Sequence, residues 1–214
     1  MKLYKYKNNE EYISCQKKGV YNHPALGNSV DYEWVNYPEI QFIKNNIINP
    51  HFDKLNITPK KGICHGAKLG KENKWFEEVT GVDFIGTDIS TETNEEMKLI
   101  QWDFHKVKNE WKNNIDIIYS NSLDHSYDPN LVLRRWVSCL SLDGICIIEW
   151  SKYDSEESYS DTLDGMKVDC FGASLEEYKT MIESAGTIVS TLDYESQENL
   201  NTGFVHKTFI VFKK

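Results

Sequence analysis

Arginine is nearly absent from this 214-residue chain: only Arg134 and Arg135 occur, side by side. Lysine brings the cations to 24 against 33 acids, a formal charge of −9 at pH 7. The imbalance sits in one place, because residues 149–201 carry a net −10 and the remainder is close to neutral. A protein that neutralises a run of phosphates needs a basic face. No basic stripe is present, so nucleic acid is not the expected substrate, and the acidic stretch reads most simply as a solvated surface. Long apolar runs are missing as well. No stretch of about 18 apolar residues occurs, which excludes a transmembrane helix. The opening MKLYKYKNNEEY is charged without an apolar core, so no signal peptide is expected. The five cysteines (15, 64, 139, 146 and 170) are odd in number and form no Cys-x-x-Cys pair. A disulfide scaffold and a zinc ribbon are therefore not expected, and a reducing cytoplasm fits best. Neither a Gly-x-x-x-x-Gly-Lys-Ser/Thr loop nor a Gly-x-Ser-x-Gly elbow is found, which disfavours nucleotide-hydrolysing P-loop and esterase chemistry.

What is present divides the chain at about residue 58. Residues 1–58 are rich in Tyr, Asn and Lys and form an N-terminal extension. One helix is expected there, begun by Pro38, lined by Ile40, Ile43 and Ile47, and stopped by Pro50. The simple role for this extension is a cover over a sheet edge. The functional alternative is a lid whose Tyr21, Tyr32, Trp34 and Tyr37 face a substrate. From Pro59 to the end, short apolar runs alternate with helical patterns. Strands are expected at 62–64, 82–88, 98–104, 115–120, 145–150, 187–192 and 205–212. Helices are expected at 71–80, closed by Gly81, from Asp128-Pro129 to Leu140, and from the capping box Ser174-Glu177 to Ala185. This alternation predicts an α/β fold with a mainly parallel sheet.

Open parallel sheets bind ligands beyond the carboxyl ends of their strands. The turn after the first of these strands reads Cys64-His65-Gly66-Ala67-Lys68-Leu69-Gly70 and leads straight into a helix. Its glycines allow positive φ and close backbone approach to a ligand. Asp88 follows Gly66 by 22 residues at the next strand end, where a carboxylate can accept both hydroxyls of a ribose. Asp103, at the end of the third strand, can accept an adenine amino group. Together these residues predict a nucleoside site. The Cys64-His65 pair lacks a third and fourth ligand at zinc spacing, so no metal site is expected.

The stretch from Lys61 to Trp150, and more loosely to the C-terminus, resembles the class I S-adenosylmethionine-dependent methyltransferases. The run Ile115–Pro129 is similar to that family's fourth strand and the turn after it, and Leu140–Glu149 to its glycine turn and fifth strand. The resemblance implies a three-layer α/β/α sandwich with a seven-strand, mostly parallel, Rossmann-like sheet whose last strand is antiparallel. It implies S-adenosyl-L-methionine as cofactor, held by His65, Gly66 and Gly70 of the loop, Asp88 and Ile89 at the ribose, Asp103 and Phe104 at the adenine, and Asn121 near the methionine. Two positions depart from the pattern: Cys64 stands where the family has an acid, and Lys68 where it has a glycine. Glu72, in the first helical turn, can supply the missing carboxylate. His125, with Asp124 beside it, lies where a group facing the transferring methyl belongs. The expected reaction is methylation of oxygen or nitrogen on a small molecule or glycan. A catalytically silent binding module and a nicotinamide-dependent oxidoreductase are the other classes. The latter lacks its Tyr-x-x-x-Lys pair on the helix after strand four.

Overall fold

The computed structural model describes residues 1–22, 33–156, 162–197 and 204–214. Seven strands form the main sheet: β1 (Lys61–His65), β2 (Asp83–Asp88), β3 (Leu99–Gln101), β4 (Ile115–Ser120), β5 (Leu140–Ser151), β6 (Thr187–Gln197) and β7 (Phe204–Lys213). Their spatial order is β3-β2-β1-β4-β5-β7-β6. The first five run parallel, and β7 is antiparallel to both neighbours, β5 and β6. The order reverses between β1 and β4, which opens a crevice at the carboxyl ends of those two strands.

Strand periodicity sorts the sheet's residues into two cores. Ile117 and Tyr119 of β4, Ile145 and Ile147 of β5, and Phe209 and Val211 of β7 point to one face. Ile118, Cys146, Ile148, Ile210 and Phe212 point to the other. The second face packs on α5 (Pro129–Cys139) and α6 (Leu175–Ala185) through Leu133, Trp136, Tyr178 and Ile182. The first face packs on α4 (Lys71–Thr80) through Phe76 and on the N-terminal extension through Val35, Ile40, Ile43, Ile47 and Phe52. Each such side chain contributes roughly 1.5–3 kcal/mol by leaving water, so the extension shares a core with the sheet.

The extension differs from its sequence-based expectation in two ways. A helix, α1 (Asn9–Tyr21), precedes the expected one; Asn8 caps it by accepting the Glu11 N–H at 2.9 Å. The expected helix does begin at Tyr37, but Pro50 does not stop it. After α2 (Tyr37–Ile43) comes a π turn, Lys44–Ile48, in which the Asn49 N–H reaches back five residues to the Lys44 carbonyl. The widened turn seats Pro50 in the first turn of α3 (Asn49–Leu55), where its missing N–H costs no bond. Elsewhere β3 is shorter than expected because Lys98 is left-handed (φ 49°) and the chain turns at Asp103. β5 starts early, with Leu140 paired to Ile115, and β6 runs on to Gln197.

Of the aromatics considered for a lid, Tyr32 lies outside the described residues and Tyr37 bonds the exposed Glu78 at 3.1 Å. Trp34 is fastened inward. Its indole N–H donates to Glu149, and the Lys207 ammonium lies over its ring.

Candidate active site

β1 ends at His65, and the chain turns through residues 66–70 into α4. Gly66 and Gly70 are left-handed, with φ of 78° and 84°, and Lys68 between them also takes a left-handed φ of 49°. The turn is held from β2. The Gly66 and Ala67 N–H groups donate to the Thr87 carbonyl at 2.8 and 3.0 Å, and the Lys68 N–H donates to Asp88 Oδ2 at 2.8 Å. Asp88 Oδ1 accepts the Ser90 N–H at 2.7 Å and the Ser90 hydroxyl. A carboxylate offers about four acceptor positions, and these contacts use three. Ile89 follows, half-buried. A Cβ on Gly66 would run into the Ser122 side chain. Gly66→Ala is therefore expected to cost at least the about 1–2 kcal/mol of left-handed strain, read as a melting point lower by several degrees; an unchanged melting point would show that the turn relaxes freely.

Glu72, in the first turn of α4, is 3% exposed. Its Oε2 accepts from Asn121 Nδ2 at 3.2 Å, while Oε1 is buried without a hydrogen-bond partner among the described residues. Asn121, just past β4, also accepts from the Ser122 hydroxyl at 2.9 Å. Burial pushes the Glu72 carboxyl well above the usual carboxylate range, and Glu33, Glu149 and Asp88 push it the same way. The pair Glu72–Asn121 thus presents a buried acid with one oxygen unused among the described residues. Cys64, in the acid's usual place, is fully buried in the apolar layer with Phe76 and Phe84 and offers no such acceptor.

Asp103 lies in the turn after β3 and is buried. Its Oδ1 accepts the His105 N–H at 3.0 Å and meets His105 Nδ1 at 2.7 Å, and His105 Nε2 meets the Ser126 Oγ at 2.9 Å. Burial alone would raise the Asp103 pKa, but the His105 bonds and the Lys106 charge outweigh it and hold the carboxyl below its ordinary value. Oδ2 has no hydrogen bond among the described residues, with Lys106 Nζ at 3.7 Å. Tyr127 stacks on the His105 ring at 3.7 Å, so one chain of contacts ties the third-strand turn to the loop after β4.

Two expected ligand residues turn away from this crevice. His65 is 1% exposed, and its ring stacks on Trp136 at 4.9 Å, with Nδ1 at 2.7 Å from the Thr87 hydroxyl. Burial drives its pKa down to about 3, so it is neutral. The Phe104 ring packs edge-on against the same Trp136, inside the α5 layer. For His65 strand alternation is the cause: with Cys64 facing α4, His65 must face the opposite core. Both residues can meet a ligand only through backbone.

The loop after β4 carries the short helical turn Leu123–His125. His125 Nε2 stands 3.9 Å from Asp124 Oδ2 and 3.7 Å from Asp169 Oδ1, and these three groups lie within 4.8 Å of one another. The His125 side chain is 30% exposed. Asp169 belongs to the acidic stretch, and nothing in the sequence places it beside His125. The arrangement is a clamp for positive charge around an imidazole.

No protein-family model and no curated protein matches this chain. Solved structures do match. A Burkholderia thailandensis 1,6-didemethyltoxoflavin-N1-methyltransferase, with 1,6-didemethyltoxoflavin and S-adenosylhomocysteine bound, superposes with a TM-score of 0.67 over 99% of this chain and 92% of that one, at 14% identity. The N-methyltransferase NodS of Bradyrhizobium japonicum, in complex with S-adenosylhomocysteine, gives 0.61 over 95% and 98%, at 10% identity. A sugar N-methyltransferase from a Streptoalloteichus species gives 0.57 over 84% and 89%, at 9% identity. This chain has the class I methyltransferase fold. Within that fold the Gly66 turn, Asp88, Glu72 and Asn121 converge on the crevice between β1 and β4, Asp103 flanks it through the β3 turn, and His125 and Asp124 stand beyond β4. No helix among the described residues is long and apolar enough to cross a membrane.

Proposed function

We propose that this protein is an S-adenosylmethionine-dependent methyltransferase acting on a nitrogen or oxygen of a small molecule or glycan, with an amine as the favoured acceptor. The buried, unpartnered oxygen of Glu72 carries the reading. The methionine end of the cofactor brings an ammonium, and a carboxylate that lacks a partner in the crevice is the group it needs. Glu72 thus replaces the acid missing at Cys64. Lys68 does not spoil the loop, because it adopts the left-handed conformation of the glycine it replaces and still donates its N–H to Asp88. These two compensations favour an enzyme over a silent binding module.

When bound, the sulfonium supplies an already activated methyl group, so the protein has mainly to align the nucleophile and exclude water. Asp88 would take a ribose hydroxyl in place of the rotatable Ser90 hydroxyl. Asp103 Oδ2, with no hydrogen bond among the described residues, would accept the adenine amino group. His125 would take the proton of an acceptor amine or hydroxyl at Nε2, and Asp124 and Asp169 would hold the positive charge that the acceptor brings. The amine preference rests on those two carboxylates, and the N-methyltransferases among the structural neighbours are in keeping with it. All five cysteines are buried and unpaired, which suits the cytoplasm.

Calorimetry tests the cofactor. S-adenosylmethionine and S-adenosylhomocysteine should both bind, and Asp88→Ala should weaken each by about 1.5–3 kcal/mol, the range for hydrogen bonds to a charged group. Binding of a nicotinamide dinucleotide instead, or unchanged affinity in a folded variant, would refute the reading.

A further inference from the structure

We propose that Gln16, on the N-terminal helix α1, is a positioning residue that fixes His125 in the tautomer with its hydrogen on Nδ1, leaving Nε2 as the proton-accepting nitrogen. The catalytic meaning of this assignment rests on the methyl-transfer reading above, whereas the tautomer itself does not.

The orientation of Gln16 is set by its neighbours. Gln16 is 6% exposed, and its Nε2 donates to the Val168 carbonyl at 2.8 Å and to the Tyr6 hydroxyl at 3.4 Å. A carbonyl oxygen can only accept, so the amide NH2 must face Val168 and the amide oxygen must face the other way. That oxygen lies 3.0 Å from His125 Nδ1, and the Val168 carbonyl lies 3.3 Å from the same nitrogen. Nδ1 therefore faces two oxygens, neither of which can donate. Only an Nδ1–H satisfies both contacts, and a neutral imidazole carries one hydrogen. Nε2 is then bare.

The other side of the ring agrees. Asp169 and Asp124 stand 3.7 and 3.9 Å from Nε2, beyond the 2.7–3.2 Å of an N–H···O bond. An Nε2–H would have drawn one of them in. Instead Nε2 sits near two carboxylates, out of hydrogen-bond reach of either. The backbone is pinned too, because the Tyr12 hydroxyl, one helical turn before Gln16, donates to the His125 carbonyl at 3.2 Å. The i, i+4 pair Tyr12 and Gln16 thus places α1 within the machinery of the site rather than merely over it.

Nitrogen-15 NMR of protein labelled at histidine reads the tautomer without any acceptor. At a pH where the ring is neutral, wild-type His125 should show an N–H signal at Nδ1 and a bare signal at Nε2. Gln16→Leu, close in size but unable to accept, should lose that single-tautomer pattern, and Gln16→Glu, which keeps an acceptor oxygen, should retain it. Affinity for S-adenosylmethionine should stay within twofold in both variants. A wild-type ring with its hydrogen on Nε2 would overturn the proposal, as would an unchanged pattern in Gln16→Leu. A wild-type Nε2 signal that moves on adding zinc(II) to chelator-treated protein would overturn the proton-accepting role of Nε2, because a metal ligated there needs the same Nδ1–H tautomer but occupies that nitrogen. Should Gln16→Leu fail to fold, the wild-type spectrum and Gln16→Glu still decide the tautomer. Failure of wild-type protein to bind the cofactor would refute methyl transfer while leaving the tautomer result intact.

Discussion

Replacing Lys207 by methionine should lower stability by about 3–5 kcal/mol, the cost of stranding a buried charge. Lys207 is 1% exposed on β7, and its ammonium is fully used: it bonds Glu39 at 2.9 and 3.0 Å, Glu149 at 3.0 Å and the Trp34 carbonyl at 3.0 Å. Burial alone would drive its proton off, but Glu149 and Glu39 more than reverse that and raise its pKa. Glu39, wholly buried on α2, also accepts from the Ser196 hydroxyl at 3.1 Å, and Glu149 accepts from the Tyr119 hydroxyl at 3.0 Å. One ammonium thus serves two carboxylates. Burial, and then the nearness of Glu149, push the Glu39 pKa up to about 8 although Lys207 opposes the rise.

The sign of the pH dependence follows. Folded Glu39 holds its proton above the pH at which the unfolded chain releases it, so its contribution is complete below about 4.3 and is lost as pH rises through about 8. Lys207→Met should therefore be most destabilised on the alkaline side, whereas Glu39→Gln, which mimics the protonated acid, should cost about 1 kcal/mol or less. At roughly 2–4 °C per kcal/mol for a chain of this size, the lysine variant should melt some 10 °C lower. Denaturation curves for the three proteins at pH 6 and pH 9 check this. A methionine variant within about 1 kcal/mol of wild type would mean that water enters and screens the two acids.

That network shows where sequence reading stops. Glu39 and Lys207 are 168 residues apart, and nothing local to either marks the other as its partner. The same holds for Gln16 and His125, separated by 109 residues. What could be read was local. The glycines at 70 and 81 bound α4, and α6 opens at the Ser174–Glu177 capping box and ends at Ala185, all as expected. The Gly66 turn and Asp88 were legible because a left-handed turn and a strand-end acid declare themselves by residue type. The inward turn of the His65 ring was not read because position along the chain was taken without strand parity, and the packing of the Phe104 ring depends on a turn beyond β3 that no local pattern marks. Helix α1 was missed because few apolar residues mark its inner face, although Asn8 followed three residues later by Glu11 is a helix-start signal. Pro50 misled because a π turn has no sequence mark of its own.

Glu72→Gln should weaken S-adenosylmethionine by about 1.5–3 kcal/mol while making the free protein more stable at alkaline pH. The two effects have one origin. Burial comes first, and repulsion from Glu33, Glu149 and Asp88 second, in raising the Glu72 carboxyl well above its ordinary range; the Asn121 bond only partly offsets them. The free protein therefore keeps a proton on Glu72 at pH values where the unfolded chain has lost it. The folded state then binds more protons than the unfolded one, so this group's contribution falls as pH rises above about 4.3. Glutamine keeps an oxygen for Asn121 Nδ2 and removes the charge, so the variant should gain melting temperature at pH 8 and match wild type near pH 4. A ligand ammonium next to Oε1 reverses the balance, because the charged carboxylate becomes the favoured form. Binding must then release a proton, and wild-type affinity must rise with pH across the range where Glu72 ionises. Calorimetry in two buffers of different ionisation heat reads the released proton directly. Glu72→Gln should bind with none released and with a flatter dependence on pH. Wild-type affinity that falls as pH rises, or equal proton release in the variant, would remove Glu72 from the cofactor site.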